Sequence, residues 1–474
     1  MKIMYVGSEA IPFSKTGGLA DVLGSLPQAM HALDHEVILV LPKHGVTKAK
    51  YHDQLKTVHQ TTVEVHDTHQ YCGYQMLEHQ GIKVYFVDNE FYFGNRPNLY
   101  GDFDDGERYG FYAHAVLKMI SEKVFEPDVM HLNDWQTGLI AYLLKIAPQY
   151  QGLGRQIKTL LTIHNIAYQG TFSKSLMPYL NAPYDGALEF DDVINFLKAG
   201  IMSADHISTV SPTYANELQH AYFGFGLQGI LKMRENQFTG IINGISYEEF
   251  SPKSDANIAY NFGLNNYLKG KRENKNDLLK RFNLKPTKKP VVGMVSRLTE
   301  AKGFPLLEQS IEPFLKENRL RLVILGSGDA HIQNHLNYLM HQYPEQVSVV
   351  FGYNEALARQ IYAGSDFFLM PSRFEPCGLA QLISLAYGTL PIVRKTGGLR
   401  DTIVPYNRFT GEGTGFAFEH YMGGDMAHAL DEALNAYQDT KNFKELIKRA
   451  MKEDFSWKQS ALVYQNLYQQ LKEA

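Results

Sequence analysis

The stretch KIMYVGSEAIPFSKTGGLADVLGSLP, Lys2–Pro27, passes from an unbroken apolar run through a polar turn with two adjacent glycines into a helical pattern. An apolar run without alternation marks a strand buried on both faces, and a strand, glycine turn and helix in succession open a parallel α/β sheet. The same rhythm extends through EVILVLP, KVYFVD, DVMHLN, TLLTIHN and HISTVS in the first half. After about Gly240 it resumes with PVVGMVS, RLVILGSG, VSVVFGY, FFLMPS and LPIVR. Two α/β domains, each with a sheet covered on both faces, are predicted. A length of 474 residues agrees, because it exceeds what a single core carries. The polar segment from Asn257 to Phe282, rich in Asn and Lys, reads as a surface insertion near the domain boundary.

With 44% hydrophobic and 20% charged residues, the composition is that of a folded globular chain and excludes disordered and collagen-like classes. The net charge of -4 offers no overall basic footprint, so neither nucleic acid nor an anionic membrane is an expected partner, and any anion site is local. Cys72 and Cys377 are the only cysteines and lie far apart, which fits neither a disulfide framework nor a zinc site. The first apolar run is too short for a signal peptide, and none approaches a membrane span. A cytoplasmic chain is the expectation.

An internal echo narrows the chemistry. KTGGLADV, Lys15–Val22, and KTGGLRDT, Lys395–Thr402, each follow a predicted strand and open a helical pattern, marked in the first copy by Leu19, Val22, Leu23 and Leu26. Free N–H groups and the positive dipole end of a helix attract anions, and paired glycines let a diphosphate approach the backbone. Each half therefore offers one strand-turn-helix anion site. Neither copy is a Walker loop, and GSGDAH at Gly326 lacks the third glycine of a dinucleotide fingerprint. Arg297 and Lys302, in VSRLTEAKG just past a strand, read either as cations for a phosphate or as ordinary surface cations of a solvated loop, the commoner case by frequency.

Glu9, Asp21, Asp134, Glu375 and Asp401 are carboxylates beside turns, and Glu375 sits in the unusual stretch PSRFEPCGLAQ. Such acceptors suit a bound sugar, and a pair of them would equally suit a glycosidase, whose acid and base flank the scissile bond. DFDD, Asp102–Asp105, contains an acidic pair of the metal-binding kind, but its polar surroundings read as a solvated acidic loop. His59, His66 and His69 lack metal-ligand spacing, and the alternation of TTVEVHDTH fits a half-exposed strand. No metal and no cofactor is assigned. Cys377 reads as a packing residue rather than a nucleophile.

The motifs SEAIPFSKTGGLADVLGSLP, HLNDWQTG, TIHNIAYQG, KAGIMSAD, STVSPTYANEL, IINGI, VSRLTEAKG, PSRFEPCGLAQL, LPIVRKTGGLRDT and GTGFAF follow one another in collinear order across nearly the whole chain. Together they resemble bacterial glycogen synthase and plant starch synthase. The resemblance implies a GT-B architecture: two Rossmann-like domains facing a deep interdomain cleft. It places residues 1–241 on the acceptor side, rejoined by a final helix at about 456–474, and residues 242–455 on the nucleotide-sugar side. The implied reaction retains anomeric configuration and needs no metal, moving glucose from ADP-glucose to the non-reducing end of an α-1,4-glucan acceptor with release of ADP.

Carried over to this sequence, the resemblance makes Lys15, Gly17 and Gly18 part of the wall around the donor diphosphate and glucose. Arg297 and Lys302 hold the distal phosphate. His164 turns its backbone carbonyl to the anomeric carbon and its ring to a sugar hydroxyl, and Glu375 holds the far side of the glucose. Asp134, Asn165 and Asn243 match other sugar-side or cleft positions, and Tyr353 matches the ring stacked on the base. Asp21, Cys377, Gly378 and Leu379, with Thr396, Gly397 and Gly398 of the second glycine turn, complete the donor-binding set. Four positions depart from the family: Ala380 stands for Thr, Ser246 for Asp, Phe250 for Trp and Ala301 for Gln. A glucan phosphorylase and a non-catalytic nucleotide-sugar or glucan sensor are the alternatives on the same plan.

Overall fold

The computed structural model describes residues 1–473. The chain forms two compact units, one of residues 1–244 together with those from 457 on, the other of residues 245–456.

The first unit is built on a 9-stranded sheet. From edge to edge its strands are Phe238–Gly240, His206–Thr209, Lys158–Ile163, Val129–Asn133, Lys2–Val6, Glu36–Pro42, Ile82–Asp88, Thr68–His79 and Lys56–Val65. Seven are parallel, and their near-continuous burial explains why they read as apolar runs. The last two form an antiparallel hairpin on the edge, which corrects the purely parallel expectation. Its outer strand contains the alternating TTVEV, the pattern of a strand buried on one face, and ends at Val65 before His66.

The second unit holds a 6-stranded, wholly parallel sheet in the order Val347–Phe351, Arg321–Gly326, Val291–Val295, Phe367–Met370, Leu390–Arg394, Phe416–Phe418. Numbered along the chain this is 3-2-1-4-5-6, the order of dinucleotide-binding folds, and the parallel strands of the first sheet repeat it with one strand more. In each sheet the connections leave in opposite directions from the first strand. A crevice therefore opens at the carboxyl ends of Lys2–Val6 and Val129–Asn133 in one unit, and of Val291–Val295 and Phe367–Met370 in the other.

Two motif glycines are explained by packing. A Cβ on Gly138 would lie 2.3 Å from the Phe196 carbonyl, and one on Gly200 would lie 2.8 Å from the Gly138 Cα. Only glycine lets the helices Trp135–Ile146 and Phe196–Ser203 cross this closely. The C-terminal helix Trp457–Glu473 buries Trp457, Ser460, Ala461, Tyr464, Leu467, Tyr468 and Leu471, a stripe at helical spacing that joins the core of the first unit. Its Tyr468 hydroxyl lies 2.9 Å from that of Tyr5 and 2.7 Å from His131 Nδ1.

Two further expectations are corrected. The segment read as a surface insertion contains the helix Tyr267–Arg281, packed into the second unit. Its buried Lys271 donates to the Ser365 carbonyl at 2.7 Å and Thr389 Oγ1 at 2.5 Å. Burial pushes that ammonium down to about 7. Lys275 pairs with Asp366 at 2.7 Å. The acidic DFDD segment is no solvated loop: Asp102 and Asp105 hold the fully buried Arg108 at 3.0 and 2.6 Å, and Asp104 takes Arg96 at 2.5 Å. Phe103 alone of the four points into solvent.

Candidate active site

In the first unit the loop after Lys2–Val6 carries Glu9, Lys15 and the first glycine pair, and the helix Gly18–Leu23 starts on the second glycine. The helical pattern through Leu26 is in fact two short helices, the second being Leu26–His31. Glu9 is buried and accepts from the Thr16 amide and, at 2.8 Å, from its hydroxyl. Burial holds its carboxyl above the usual range despite these bonds. Lys15 pairs with Asp21 at 2.6 Å. A Cβ on Gly18 would meet nothing within 4 Å, and one on Gly17 only the Glu9 carboxylate at 3.7 Å. This turn is open to a bulky group.

Beside it, at the end of Val129–Asn133, Asp134 adopts φ 57° and ψ -172°, a backbone region that costs a non-glycine residue about 1–3 kcal/mol. The strain aims its carboxylate at the next strand end, where it accepts from the His164 amide at 2.7 Å and from the Asn165 amide. Burial, with a smaller push from Glu9, raises this carboxyl to about 7. His164 follows the strand Lys158–Ile163, and its Nε2 lies 2.9 Å from Asn133 Oδ1. Burial pushes the imidazole down to about 3, so the ring is neutral across the physiological range. Asn165 closes a local turn, accepting from the Ala167 amide at 3.1 Å. Asn243 follows the edge strand Phe238–Gly240, and its buried Oδ1 has no hydrogen-bond partner among the described residues.

In the second unit Arg297 and Lys302 leave the end of Val291–Val295, and Glu375 leaves Phe367–Met370. Arg297 is exposed. Lys302 Nζ lies 2.6 Å from Glu375 Oε2, which also accepts from the Ser372 hydroxyl at 2.9 Å. The two loops are tied by their backbones, since the Arg373 amide donates to the Ala301 carbonyl at 2.8 Å. A Cβ at Gly303, φ 84°, would sit 2.1 Å from the Pro371 carbonyl, so glycine is required for that approach. Cys377 is buried and Gly378 takes φ 75° before Leu379 caps the helix Ala380–Ala386. Tyr353, past the end of Val347–Phe351, is 71% exposed and joined through its hydroxyl to Glu355.

The second glycine turn differs from the first. Thr396 is buried, and Cβ atoms on Gly397 and Gly398 would meet the Glu375 and Cys377 carbonyls at 2.0 and 2.2 Å. The Gly398 amide already donates to the carbonyls of Glu375 and Pro376 at 3.2 and 3.1 Å. These glycines seat the Glu375–Leu379 segment, and the notion of two equivalent anion turns is corrected accordingly.

Sequence reasoning missed several neighbours. Tyr100, in RPNLYG, joins its hydroxyl to that of Thr16, and the Arg108 clamp holds this segment through the Leu99 carbonyl at 3.2 Å. Asn133 and Ser372 act on His164 and Glu375 from one helix or strand end away. Only their places beside strand ends hinted at such roles. The hollow of about 640 Å³ lined by Lys145, Thr159, Asp205 and Arg234 lies at the opposite, amino end of the strands. There Arg234 is spent on the Ile201 and Ala204 carbonyls at 2.7 and 2.8 Å.

Comparison with known proteins agrees with this geometry. The model of the starch synthase catalytic domain matches residues 2–233, and that of glycosyl transferases group 1 matches residues 275–450. Glycogen synthase of Alkaliphilus metalliredigens is 43% identical, over 99% of this chain and 100% of its own. That of Caldicellulosiruptor saccharolyticus is 44% identical with the same coverage. The catalytic domain of starch synthase IV from Arabidopsis thaliana, bound to ADP and acarbose, superposes with a TM-score of 0.90 at 31% identity, covering 100% of this chain and 99% of that one. Sucrose-phosphate synthase from Thermosynechococcus elongatus, at 17% identity and a TM-score of 0.61, shares the fold. Two Rossmann-like sheets of one strand order, and identity of this extent from end to end, leave one conclusion: the chain belongs to the glycogen synthase family of GT-B glycosyltransferases.

Proposed function

We propose that the protein is a glycogen synthase, an ADP-glucose:α-1,4-glucan glucosyltransferase that extends the non-reducing end of the acceptor with retention and releases ADP. The observation that carries this reading is the placement of the polar residues. Both sheets present theirs on loops at the carboxyl ends of their strands, with Glu9, Lys15, Asp134, Arg297, Lys302 and Glu375 at the strand-order reversal, where α/β sheets bind ligands. The relatives' names and the ADP and acarbose of the starch synthase structure support the donor and acceptor classes.

In this reading the open turn at Gly17 and Gly18, with Lys15 and Asp21, borders the donor. Arg297 and Lys302 meet the diphosphate. The glycosidic bond breaks ahead of the new one, so negative charge grows on the departing ADP and fixed cations act most strongly then. His164, Asp134 and Asn165 of the first unit and Glu375 of the second are assigned to the sugar. Asn243 lies at the sugar side, Tyr353 stacks on the base, and the Cys377–Leu379 segment, seated on Thr396–Gly398, lines the donor. The leaving phosphate takes the acceptor's proton on the same face. No helix among the described residues is long and apolar enough to cross a membrane, and a cytoplasmic location is part of the proposal.

The test is incubation with ADP-glucose or UDP-glucose and glycogen, without added metal, following nucleoside diphosphate release and incorporated glucose together. Release matched by chain growth with ADP-glucose is the expected result. No release with either donor refutes a transferase and leaves a binding protein.

A further inference from the structure

We infer that Asn133 is a positioning residue: it locks His164 in the Nε2–H tautomer and so presents Nδ1 as a bare hydrogen-bond acceptor, to which a hydroxyl of the donor sugar must give its proton. The deduction starts from the amide. Asn133 is fully buried, and its side-chain nitrogen donates to the Val6 carbonyl at 3.0 Å and to the His131 carbonyl at 3.1 Å. Both amide hydrogens are thereby spent on groups that only accept. Rotating the amide by half a turn would set its oxygen against those two carbonyls, so the orientation is fixed by the backbone of two neighbouring strands.

The oxygen left over is the atom 2.9 Å from His164 Nε2. An amide oxygen cannot donate, so Nε2 carries the proton. The depressed basicity of the ring agrees, since a second proton on Nδ1 is disfavoured by burial. The ring cannot turn over to exchange its nitrogens without breaking this bond, and the His164 amide is held at 2.7 Å by Asp134. Among the described residues no group bonds to Nδ1. A histidine that accepts selects for a hydroxyl and against a fluorine or methoxy group of similar size, because neither offers a hydrogen.

The sugar as partner of Nδ1 rests on the function proposed above, whereas the tautomer does not, and two measurements keep them apart. The first is nitrogen NMR of the full chain labelled in histidine, with the His164 signals identified by their loss in His164→Gln. A protonated Nε2 and a bare Nδ1 are expected, unchanged between pH 5.5 and 8 (roughly the interval a free imidazole titrates in). A protonated Nδ1, or a mixture of tautomers, overturns the inference without reference to activity.

The second compares ADP-glucose with its monodeoxy donors in the wild type and in Asn133→Ala. One deoxy position is expected to cost the wild type about tenfold in kcat/KM, the scale of one neutral hydrogen bond, and to cost the variant almost nothing. A penalty of equal size in both overturns the positioning role of Asn133, and a penalty of equal size in the wild type and His164→Gln overturns the sugar contact. Should Asn133→Ala fail to fold, His164→Gln serves the same comparison, since it can still donate to Asn133 Oδ1 but has no acceptor at the Nδ1 position. Absence of any transfer from ADP-glucose by the wild type refutes the proposed function and, with it, the sugar contact, while the tautomer stands or falls on the NMR result.

Discussion

Lys302→Ala separates two things the lysine does. Its ammonium lies 2.6 Å from a Glu375 carboxylate whose side chain is 8% exposed, while its own is 24% exposed. Truncation leaves that carboxylate with the Ser372 hydroxyl as its one side-chain partner among the described residues. Stripping a buried carboxylate of its partner costs about 1–3 kcal/mol, toward the lower end here because water reaches the lysine. At about 2–4 °C per kcal/mol for a unit of this size, the melting temperature falls by roughly 2–10 °C. The kinetic loss is larger and of different origin: removing one fixed donor to developing charge costs kcat about 10²–10³-fold. Thermal unfolding and ADP release, measured on the same samples, read the two effects. A double-mutant cycle with Glu375→Gln then decides between direct and indirect action. If Lys302 acts on the leaving group, adding Lys302→Ala to Glu375→Gln still lowers kcat by about 10²-fold while the melting temperature hardly moves. No further kinetic loss in the double variant, or an unchanged kcat with a raised KM in the single one, refutes the assignment.

Three other outcomes follow from single residues. The Asp134 carboxyl is raised to about 7 by burial, so folding takes up a proton between the unfolded value near 4 and 7. Its contribution to stability is therefore complete below about pH 4 and is lost as pH rises toward 7. The difference in denaturant stability between wild type and Asp134→Asn should decline over that window, and a difference independent of pH counts against the reading. Arg108→Met leaves buried Asp105 without its 2.6 Å partner and should cost about 3–5 kcal/mol in urea unfolding; a loss under 1 kcal/mol would show the clamp to be idle. Tyr468→Phe removes the hydroxyl shared by Tyr5 and His131 and should cost about 1–3 kcal/mol, read as a lower unfolding midpoint; an unchanged midpoint denies this chain any role in holding the C-terminal helix.

How far the sequence disclosed all this depends on which force writes each feature. Parallel strands such as Arg321–Gly326 are buried along their whole length, so burial prints them as apolar runs that need no partner to be recognised. The helix Tyr267–Arg281 escaped because its inward face is partly cationic. Positions 267, 270, 271, 274, 275, 278 and 279 are buried at helical spacing, but Lys271 and Lys275 occupy places where apolar residues would reveal the period. DFDD misled for a related reason, since an acid run looks the same whether water or a buried arginine receives it, and Arg108 is reached only through the fold. The site was legible where it rests on glycine turns and strand ends. It was not where one side chain orients another, as Asn133 does His164, because such bonds join different strands.

The glycine echo shows what one string can and cannot specify. Both KTGGL copies follow a strand and open a helix, yet Gly18 faces open space while Gly398 is pressed onto the Cys377 carbonyl. The difference lies in what the neighbouring loop does: in the second unit Glu375–Leu379 returns across the glycines and takes up the amide that the first copy leaves near its surface. Such crossing bonds recur in both sheets, the His164 amide donating to Asp134 beside the reversal in one and the Arg373 amide donating to the Ala301 carbonyl at the reversal in the other. They fix loops from adjacent strands against each other before any ligand arrives, as electrostatic preorganisation requires. Two of the four positions noted as departures make framework contacts of their own. Ala301 braces Arg373 through its carbonyl, a bond that any side chain at that position would leave intact. Phe250 places its ring 4.0 Å from the Arg359 guanidinium, a cation–aromatic contact within the second unit.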